Sequence, residues 1–134
     1  MKPLQISASL QDYSKYTGSE YAITEAGLNG LMVRLPAENE LLLDLDSLEE
    51  VEVFRKRFRD FLNLYPGTIM RLLPSKTKGH MHAIVEMQAA LTAEQRIILQ
   101  LCLGSHYMRE FLSYQRVLAN DPNPTLLIRP KETA

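Results

Sequence analysis

The sequence predicts an α+β protein with a mixed or antiparallel sheet and helices packed on it. Apolar residues recur at helical spacing in two long segments, 48–65 and 93–103, and the shorter apolar runs between them are typical of strands. Two of these runs, 68–73 and 80–87, are joined by a polar turn and predict a hairpin, whose strands are antiparallel. Helices packed on such a sheet would bury the apolar faces of both.

Length and composition predict one domain with its own core. The chain has 134 residues, of which 46% are hydrophobic and 23% are charged, as in ordinary globular proteins. We expect residues 1–134 to form a single α+β domain, with 1–20 and 130–134 loosely ordered. The net charge of -1 gives no general attraction to nucleic acid, so such a contact would need a local basic patch.

The expected location is the cytoplasm. The single cysteine, Cys102, allows no internal disulfide, and its apolar neighbours predict that it packs in the core. The first residues have no signal-peptide pattern, and the apolar runs are too short to cross a bilayer. We therefore expect no membrane partner.

The first half of the chain is predicted to hold three strands and the longest helix. Residues 21–24 and 31–35 fit short strands. Residues 41–46 form the clearest strand, because the run is apolar at first and then alternates with acidic residues. Ser47, followed three residues later by Glu50, is the pattern of a capping box and predicts where the long helix begins.

The second half continues the alternation after the hairpin. Thr92 and Gln95 form another capping-box pattern, which predicts the start of a helix that Gly104 ends. Ser105 is predicted to cap a third helix, and residues 125–129 fit a last strand. This order of elements fits an RRM-like or ferredoxin-like layout.

Two carboxylates lie on one face of the clearest strand. Side chains two residues apart on a strand point the same way, so Asp44 and Asp46 are expected side by side, opposite Leu43 and Leu45. Such oxygen ligands suit Mg²⁺ or Mn²⁺, with water and substrate phosphates completing the shell. In the alternative interpretation, Asp46 supports the N-terminus of the next helix and Asp44 is a solvated residue.

Histidines and a basic turn accompany the carboxylates. His80 and His82 share a strand face by the same periodicity, and an imidazole can bind a metal, donate to a phosphate or transfer a proton. The turn before them offers charge, hydroxyls and free N–H groups for a phosphate, from Ser75, Lys76, Thr77, Lys78 and Gly79. The alternative is an ordinary hairpin turn followed by exposed strand residues. Together, the acids, the turn and the histidines are the ingredients of a site for a metal and a nucleoside triphosphate.

The order LLLDLDS, a helix and then PSKTKGHMHAIVEM resembles the first two motifs of archaeo-eukaryotic-type primases and primase-polymerases. In that family a strand bearing Asp-x-Asp or Asp-x-Glu precedes a Ser-x-His-like strand on an RRM-like core. By this resemblance, Asp44 and Asp46 are catalytic acids that bind metal, and His82 is the catalytic residue that contacts the nucleotide. The residues that would contact phosphate are Ser75, Lys76, Lys78, Gly79 and His80.

The resemblance covers about residues 41–118 and implies a primase-like protein of a phage or mobile element. Its cofactor would be Mg²⁺ or Mn²⁺, its partners a nucleotide triphosphate, single-stranded nucleic acid or both, and its reaction nucleotidyl transfer. The chain departs from the family at the third acid, usually an Asp on a late strand, because 125–129 has no acidic residue. Asp121 and Glu86 do not fit that role by position.

Three alternatives remain open from the sequence. One is a non-catalytic nucleic-acid-binding or replication accessory module, and another is a metal-dependent phosphodiesterase or nuclease that uses both the acids and the histidines as ligands. The third is a structural or interaction protein in which these residues are merely exposed. On the third predicted helix, Arg109 and Arg116 share a face, which we interpret as solvated rather than as a phosphate-binding face.

Overall fold

A computed structural model describes residues 18–131 of the chain. The helices within them are α1 (Ser19–Leu28), α2 (Leu48–Leu64), α3 (Ala93–Cys102) and α4 (Tyr107–Leu118). The strands are β1 (Leu31–Arg34), β2 (Glu40–Leu45), β3 (Ile69–Pro74), β4 (Met81–Glu86) and β5 (Leu127–Pro130). The predicted α+β class is confirmed. Within the described part of the chain, no helix is both long and apolar enough to cross a membrane.

The strands form two antiparallel sheets. One has the order β2-β4-β3, and the other pairs β1 with β5. The predicted hairpin is therefore present as β3 and β4, with Leu73 opposite His82. An RRM sheet has four strands, whereas the described residues form a sheet of three and a sheet of two. The RRM-like layout is not confirmed and stays a prediction.

One face of the three-stranded sheet is covered by α2. Ser47 begins the helix, its Oγ accepting the Glu50 N–H at 3.1 Å. Three phenylalanines follow at helical spacing and stack in sequence, with ring centroids 5.6 Å and 6.2 Å apart, at Phe54, Phe58 and Phe61. They pack in one buried cluster with the alternate residues of β2 and β4, among them Leu43, Leu45, Ala83 and Val85. Each buried leucine, valine or phenylalanine of this cluster stabilises the fold by about 1.5–3 kcal/mol.

The opposite face of the sheet is only partly apolar. Leu42 and Ile84 are buried there with Leu127 of β5, which brings the two-stranded sheet over this face. The next residues on the same face, two positions along each strand, are Asp44 and His82. The site is therefore the polar continuation of a small apolar core.

A strand prediction near the N-terminus is wrong. Residues 21–24 lie in α1 and not in a strand, because a short run such as SEYAITEA fits either structure by local pattern. A tertiary contact stabilises the helix start, since the Ser19 hydroxyl and N–H both donate to the Asp121 carboxylate. Residues 19, 20 and 130, predicted to be loosely ordered, belong to α1 and β5. The remaining parts of those segments, 1–17 and 132–134, lie outside the described residues.

The third and fourth helices turn polar residues toward the interior of the protein. Two further predictions, for Cys102 and Ser105, are wrong. The buried residues of α3 include Arg96 and Gln100, so Cys102 lies on the exposed side rather than in the core. The residue before the first turn of α4 is His106, and no side chain caps that helix. Ser105 accepts a hydrogen bond from β2 instead.

Candidate functional site

The outer edge of β2 is hydrogen-bonded by side chains where a neighbouring strand would otherwise lie. Arg96 Nε donates to the Glu40 carbonyl at 2.8 Å, and Gln100 Oε1 accepts the Leu42 N–H at 2.9 Å. The guanidinium of Arg109 donates to the Leu42 carbonyl. Buried backbone groups need such partners. The polar inner faces of α3 and α4 therefore satisfy an edge strand.

The backbone of Asp44 is held at the same edge. Ser105 Oγ accepts its N–H at 3.1 Å, and the His106 N–H donates to its carbonyl at 2.7 Å. On its other side, Asp44 is paired in the β2–β4 ladder with His82. Contacts on both sides fix the place where the Asp44 side chain leaves the sheet.

The carboxylates and imidazoles predicted from the sequence lie next to each other. His82 Nε2 is 3.7 Å from Asp44 Oδ1, and His80 Nδ1 is 3.2 Å from Asp46 Oδ1. Asp46 follows β2 directly, and its N–H donates to Glu50 Oε1 at 2.8 Å. The predicted capping box is thus modified, because the Glu50 side chain accepts from Asp46 rather than from the capping residue.

A third histidine, His106, joins this cluster, although sequence reasoning did not select it. Its Nδ1 lies 3.4 Å from Asp46 Oδ2 and 3.2 Å from Glu50 Oε2. Burial opposes the charged ring, but the hydrogen bond with Glu50 and the nearby carboxylates of Asp46 and Asp44 raise the pKa of His106 above its ordinary value. No periodicity places this residue near the acids. Its position before a predicted helix is the only local signal.

The last strand contributes a cation that contacts His82. Arg129 Nη1 donates to His82 Nδ1 at 2.9 Å and to the Pro74 carbonyl at 2.8 Å. A guanidinium can only donate, so Nδ1 of His82 is the acceptor and its proton is on Nε2, which faces Asp44. His82 is buried, and burial followed by the charges of Arg129 and Arg109 lowers its pKa to about 4. Near neutral pH the ring is an uncharged donor.

Asp44 has the opposite perturbation. Burial, followed by the negative charge of Asp46, raises the pKa of Asp44 to about 6, while Arg109 and His106 lower it less. The carboxylate is thus costly to ionise where it stands. A proton or a cation at the pair relieves that cost.

The two carboxylates and the two predicted histidines share one cavity of about 220 Å³ between the two sheets and α4, whereas His106 and Arg129 contact these residues without lining it. The residues with hydrogen-bonding side chains that line it are Asp44, Asp46, Ser75, Lys76, Thr77, His80, His82, Arg109 and Arg116. The acidic strand end, the histidines and the first half of the basic turn are therefore brought together. Lys78 and Gly79, also predicted to bind phosphate, lie further along the turn and do not line the cavity. Gly79 has a φ of 85°, which lets the chain reverse before β4.

The prediction of a solvated face for Arg109 and Arg116 is wrong. Arg116 is buried, and the Arg109 side chain is 11% exposed. Arg109 is held by Glu110 Oε2 at 2.6 Å and by the Leu126 carbonyl, and Arg116 donates to the Pro124 carbonyl at 3.2 Å. Both cations therefore form part of the wall between α4 and β5.

The donor set fits one divalent cation better than two. Among residues 18–131, no group of three or more His, Cys, Asp or Glu side chains is arranged to hold a metal ion. Two neighbouring carboxylates are enough for Mg²⁺ or Mn²⁺ when water and a bound phosphate complete the shell. Asp44 and Asp46 match that requirement, and the raised pKa of Asp44 is consistent with a site that favours added positive charge.

Larger cavities lie elsewhere and lack this combination of groups. One of about 810 Å³ adjoins Ser19 and Asp121, and one of about 510 Å³ is an apolar groove between α2 and α3. The smaller cavity is the candidate site because carboxylates, imidazoles and cations converge there. Comparison of the chain with protein-family models, with curated proteins and with solved structures found no significant match.

Proposed function

We propose that the protein is a primase-like, divalent-metal-dependent protein that binds the phosphate groups of a nucleotide or of single-stranded nucleic acid. The observation that carries the proposal is the convergence of Asp44, Asp46, His82 and Lys76 on one cavity. Singly, each of these features is common on protein surfaces. Their shared position on neighbouring elements is what distinguishes a phosphate site from a solvated strand end.

Each side chain has a role that its surroundings favour. Asp44 and Asp46 would hold one Mg²⁺ or Mn²⁺, which when bound offsets phosphate charge. Lys76 and the Ser75 hydroxyl, which also line the cavity, would bind phosphate oxygens by charge and hydrogen bonding. His82, uncharged and with its proton on Nε2, would donate to a phosphate oxygen and not act as a metal ligand through Nδ1.

The size of the cavity favours phosphate over a whole nucleotide. Its volume of about 220 Å³ is below the range of roughly 300–1,000 Å³ typical of pockets that enclose a small organic ligand. A phosphate group with its cation fits inside, whereas the sugar and base would extend past the turn toward solvent. Recognition of this kind depends on charge and not on the identity of the base.

Binding is better supported than polymerisation. The third acid of the resembling family has no counterpart on β5, where Arg129 instead donates to His82. A guanidinium in that place adds an attraction for phosphate and removes a metal ligand. Nucleotidyl transfer therefore remains the less supported activity for this chain.

The proposal is tested by calorimetric titration of the protein with a nucleoside triphosphate in the presence of Mn²⁺. We expect saturable binding that is lost with chelator and lost in Asp44→Asn/Asp46→Asn. Asp60→Asn, a change on the exposed side of α2, is the matched control and should bind like the wild type. Circular dichroism on all three proteins checks that the fold is retained.

Two results would contradict the proposal. One is a wild-type protein that binds neither Mn²⁺ nor the nucleotide. The other is binding of a single-stranded oligonucleotide that is indifferent to chelator and to both Asn changes, as expected of a non-catalytic nucleic-acid-binding module. Degradation of a labelled oligonucleotide would instead identify the nuclease alternative.

A further inference from the structure

The polarity of α4 is reversed relative to an ordinary surface helix. Its buried side carries Glu110, Ser113 and Arg116, which serve the edge of β2 and the turn before β5. Its outer side carries large apolar residues, here called the α4 stripe: Tyr107 (59% exposed), Met108 (50%), Phe111 (60%), Tyr114 (47%) and Leu118 (36%). A surface helix normally presents charged residues to water. A continuous apolar stripe in that position marks an interaction surface.

The spacing of the stripe is that of a helix-packing seam. Tyr107, Phe111, Tyr114 and Leu118 are separated by four, three and four residues, the a/d repeat that faces a partner helix. Tyr107 and Phe111 already meet edge to face, with ring centroids 6.0 Å apart. The seam is thus one ordered surface and not a set of scattered exposed side chains.

We propose that the α4 stripe packs against the α4 stripe of a second copy of this chain, related by a twofold axis. The stripe contains no charged side chain, because Arg109, Glu110 and Arg116 are turned inward. Nucleic acid needs cations at its binding surface, which this face does not offer. Tyr, Phe and Met without charge are typical of the centre of a protein interface.

Charge also favours a copy of the same chain. A twofold interface is self-complementary, and a residue near the axis faces its own copy, so a charge there would meet a like charge. The uncharged stripe meets that condition without a complementary partner. Its position on the outer side of α4 leaves the phosphate cavity accessible, so the inference stands independently of the proposed function.

The area is sufficient for a dimer of moderate affinity. Large side chains bury about 150–250 Å² each when fully covered. With exposures between 36% and 60%, the five residues of the stripe amount to about 500 Å² on each copy. The pair would bury about 1,000 Å², which is at the lower end for a biological interface. We therefore expect a concentration-dependent dimer.

The oligomeric state, measured by analytical ultracentrifugation over a concentration series, tests the inference. We expect the wild-type protein to shift from monomer to dimer. Phe111→Glu places a charge at the centre of the seam and should weaken the dimer about 100-fold or more while the helical signal is retained. Leu28→Glu, an equally drastic change at an 83% exposed residue of α1, is the matched control and should leave dimerisation unchanged.

A cysteine placed on the seam provides a second measurement. In a Cys102→Ser background, Phe111→Cys should give a disulfide-linked dimer on oxidation, whereas Leu28→Cys should not. A wild-type protein that is monomeric throughout overturns the inference. In that case, a lowered melting temperature of Phe111→Glu would show that the stripe is covered within one chain.

Discussion

The strand β2 is covered in two different ways, and the contrast explains how the candidate site is built. Its face toward α2 is sealed by aliphatic and aromatic side chains such as Leu43 and Phe54, both fully buried. Its edge toward α3 and α4 is sealed by hydrogen bonds of the Leu42 backbone, whose N–H donates to Gln100 and whose carbonyl accepts from Arg109, with Glu110 linking the two side chains. The apolar contacts with α2 are non-directional, whereas the hydrogen bonds with α3 and α4 are directional.

The difference has a structural consequence for Asp44. Apolar packing tolerates changes of shape when volume is kept. In a buried hydrogen-bond network, each group that is left unpaired lowers the stability by its full desolvation penalty. The edge network is the part that holds the backbone at Leu42 and Asp44, so the less tolerant interface is also the one that positions the site.

The largest expected effect on stability comes from a pair of substitutions, one in each of these two interfaces. Glu110 and Phe54 are 1% and 0% exposed, and both can be replaced by leucine. Glu110→Leu removes the acceptor of the Gln100 amide and leaves the Arg109 guanidinium without its charge partner, and we expect it to lower the free energy of unfolding by about 3–5 kcal/mol. Phe54→Leu should cost about 1.5 kcal/mol, because it leaves a small cavity but no unpaired polar group.

Denaturant unfolding at neutral pH measures both losses. Equal losses, or a larger one for Phe54→Leu, would show that the edge network is not the more demanding interface. Chelator is present in these measurements so that any bound metal does not add to the stability.

A substitution at the site itself is expected to have an intermediate effect and to raise the stability rather than lower it. The pKa of Asp44 is raised from 3.8 to about 6, so the folded protein binds this proton more tightly than the unfolded chain does. The stability contributed by the proton is complete below about pH 4 and is lost as the pH rises through about 6. Asp44→Asn resembles the protonated form and should stabilise the metal-free protein by about 1–2 kcal/mol above that range.

Unfolding of the wild type and of Asp44→Asn across this pH range, in chelator, tests the expectation. The difference between the two should be near zero at the acidic end and grow with pH. A constant difference would mean that the Asp44 carboxylate is not the titrating group. If Asp44→Asn raises stability and abolishes Mn²⁺ binding, the carboxylate pair lowers the stability of the metal-free protein for the sake of binding.

The smallest effect on stability is expected at Ser105. Ser105→Ala removes the acceptor of the Asp44 N–H and should cost about 1 kcal/mol. Ser113→Ala is the matched control, because its hydroxyl is also buried but donates within α4, to the Arg109 carbonyl at 3.1 Å. We expect similar losses of stability from the two, and weakened Mn²⁺ affinity from Ser105→Ala alone, by calorimetric titration. Equal affinities would show that the edge contact does not position Asp44.

Much of the apolar interface and part of the site could be predicted from the sequence. The phenylalanines of α2 recur at helical spacing, and the alternation of Leu43 to Asp46 assigns their faces, because both patterns are local. The same local rule paired Asp44 with Asp46 and His80 with His82. It failed for residues 21–24, where a short apolar run fits either a helix or a strand.

By itself, the sequence determined where the hairpin, the long helix and the acidic strand end lie, since periodicity and helix capping act between near neighbours. Tertiary structure alone decided that β4 lies beside β2, and that His106 and Arg129 contact Asp46 and His82. It also decided that the polar sides of α3 and α4 face inward. The physical reason is that the hydrogen-bonding demand of an edge strand is met by residues 50 to 70 positions away, which no local pattern encodes.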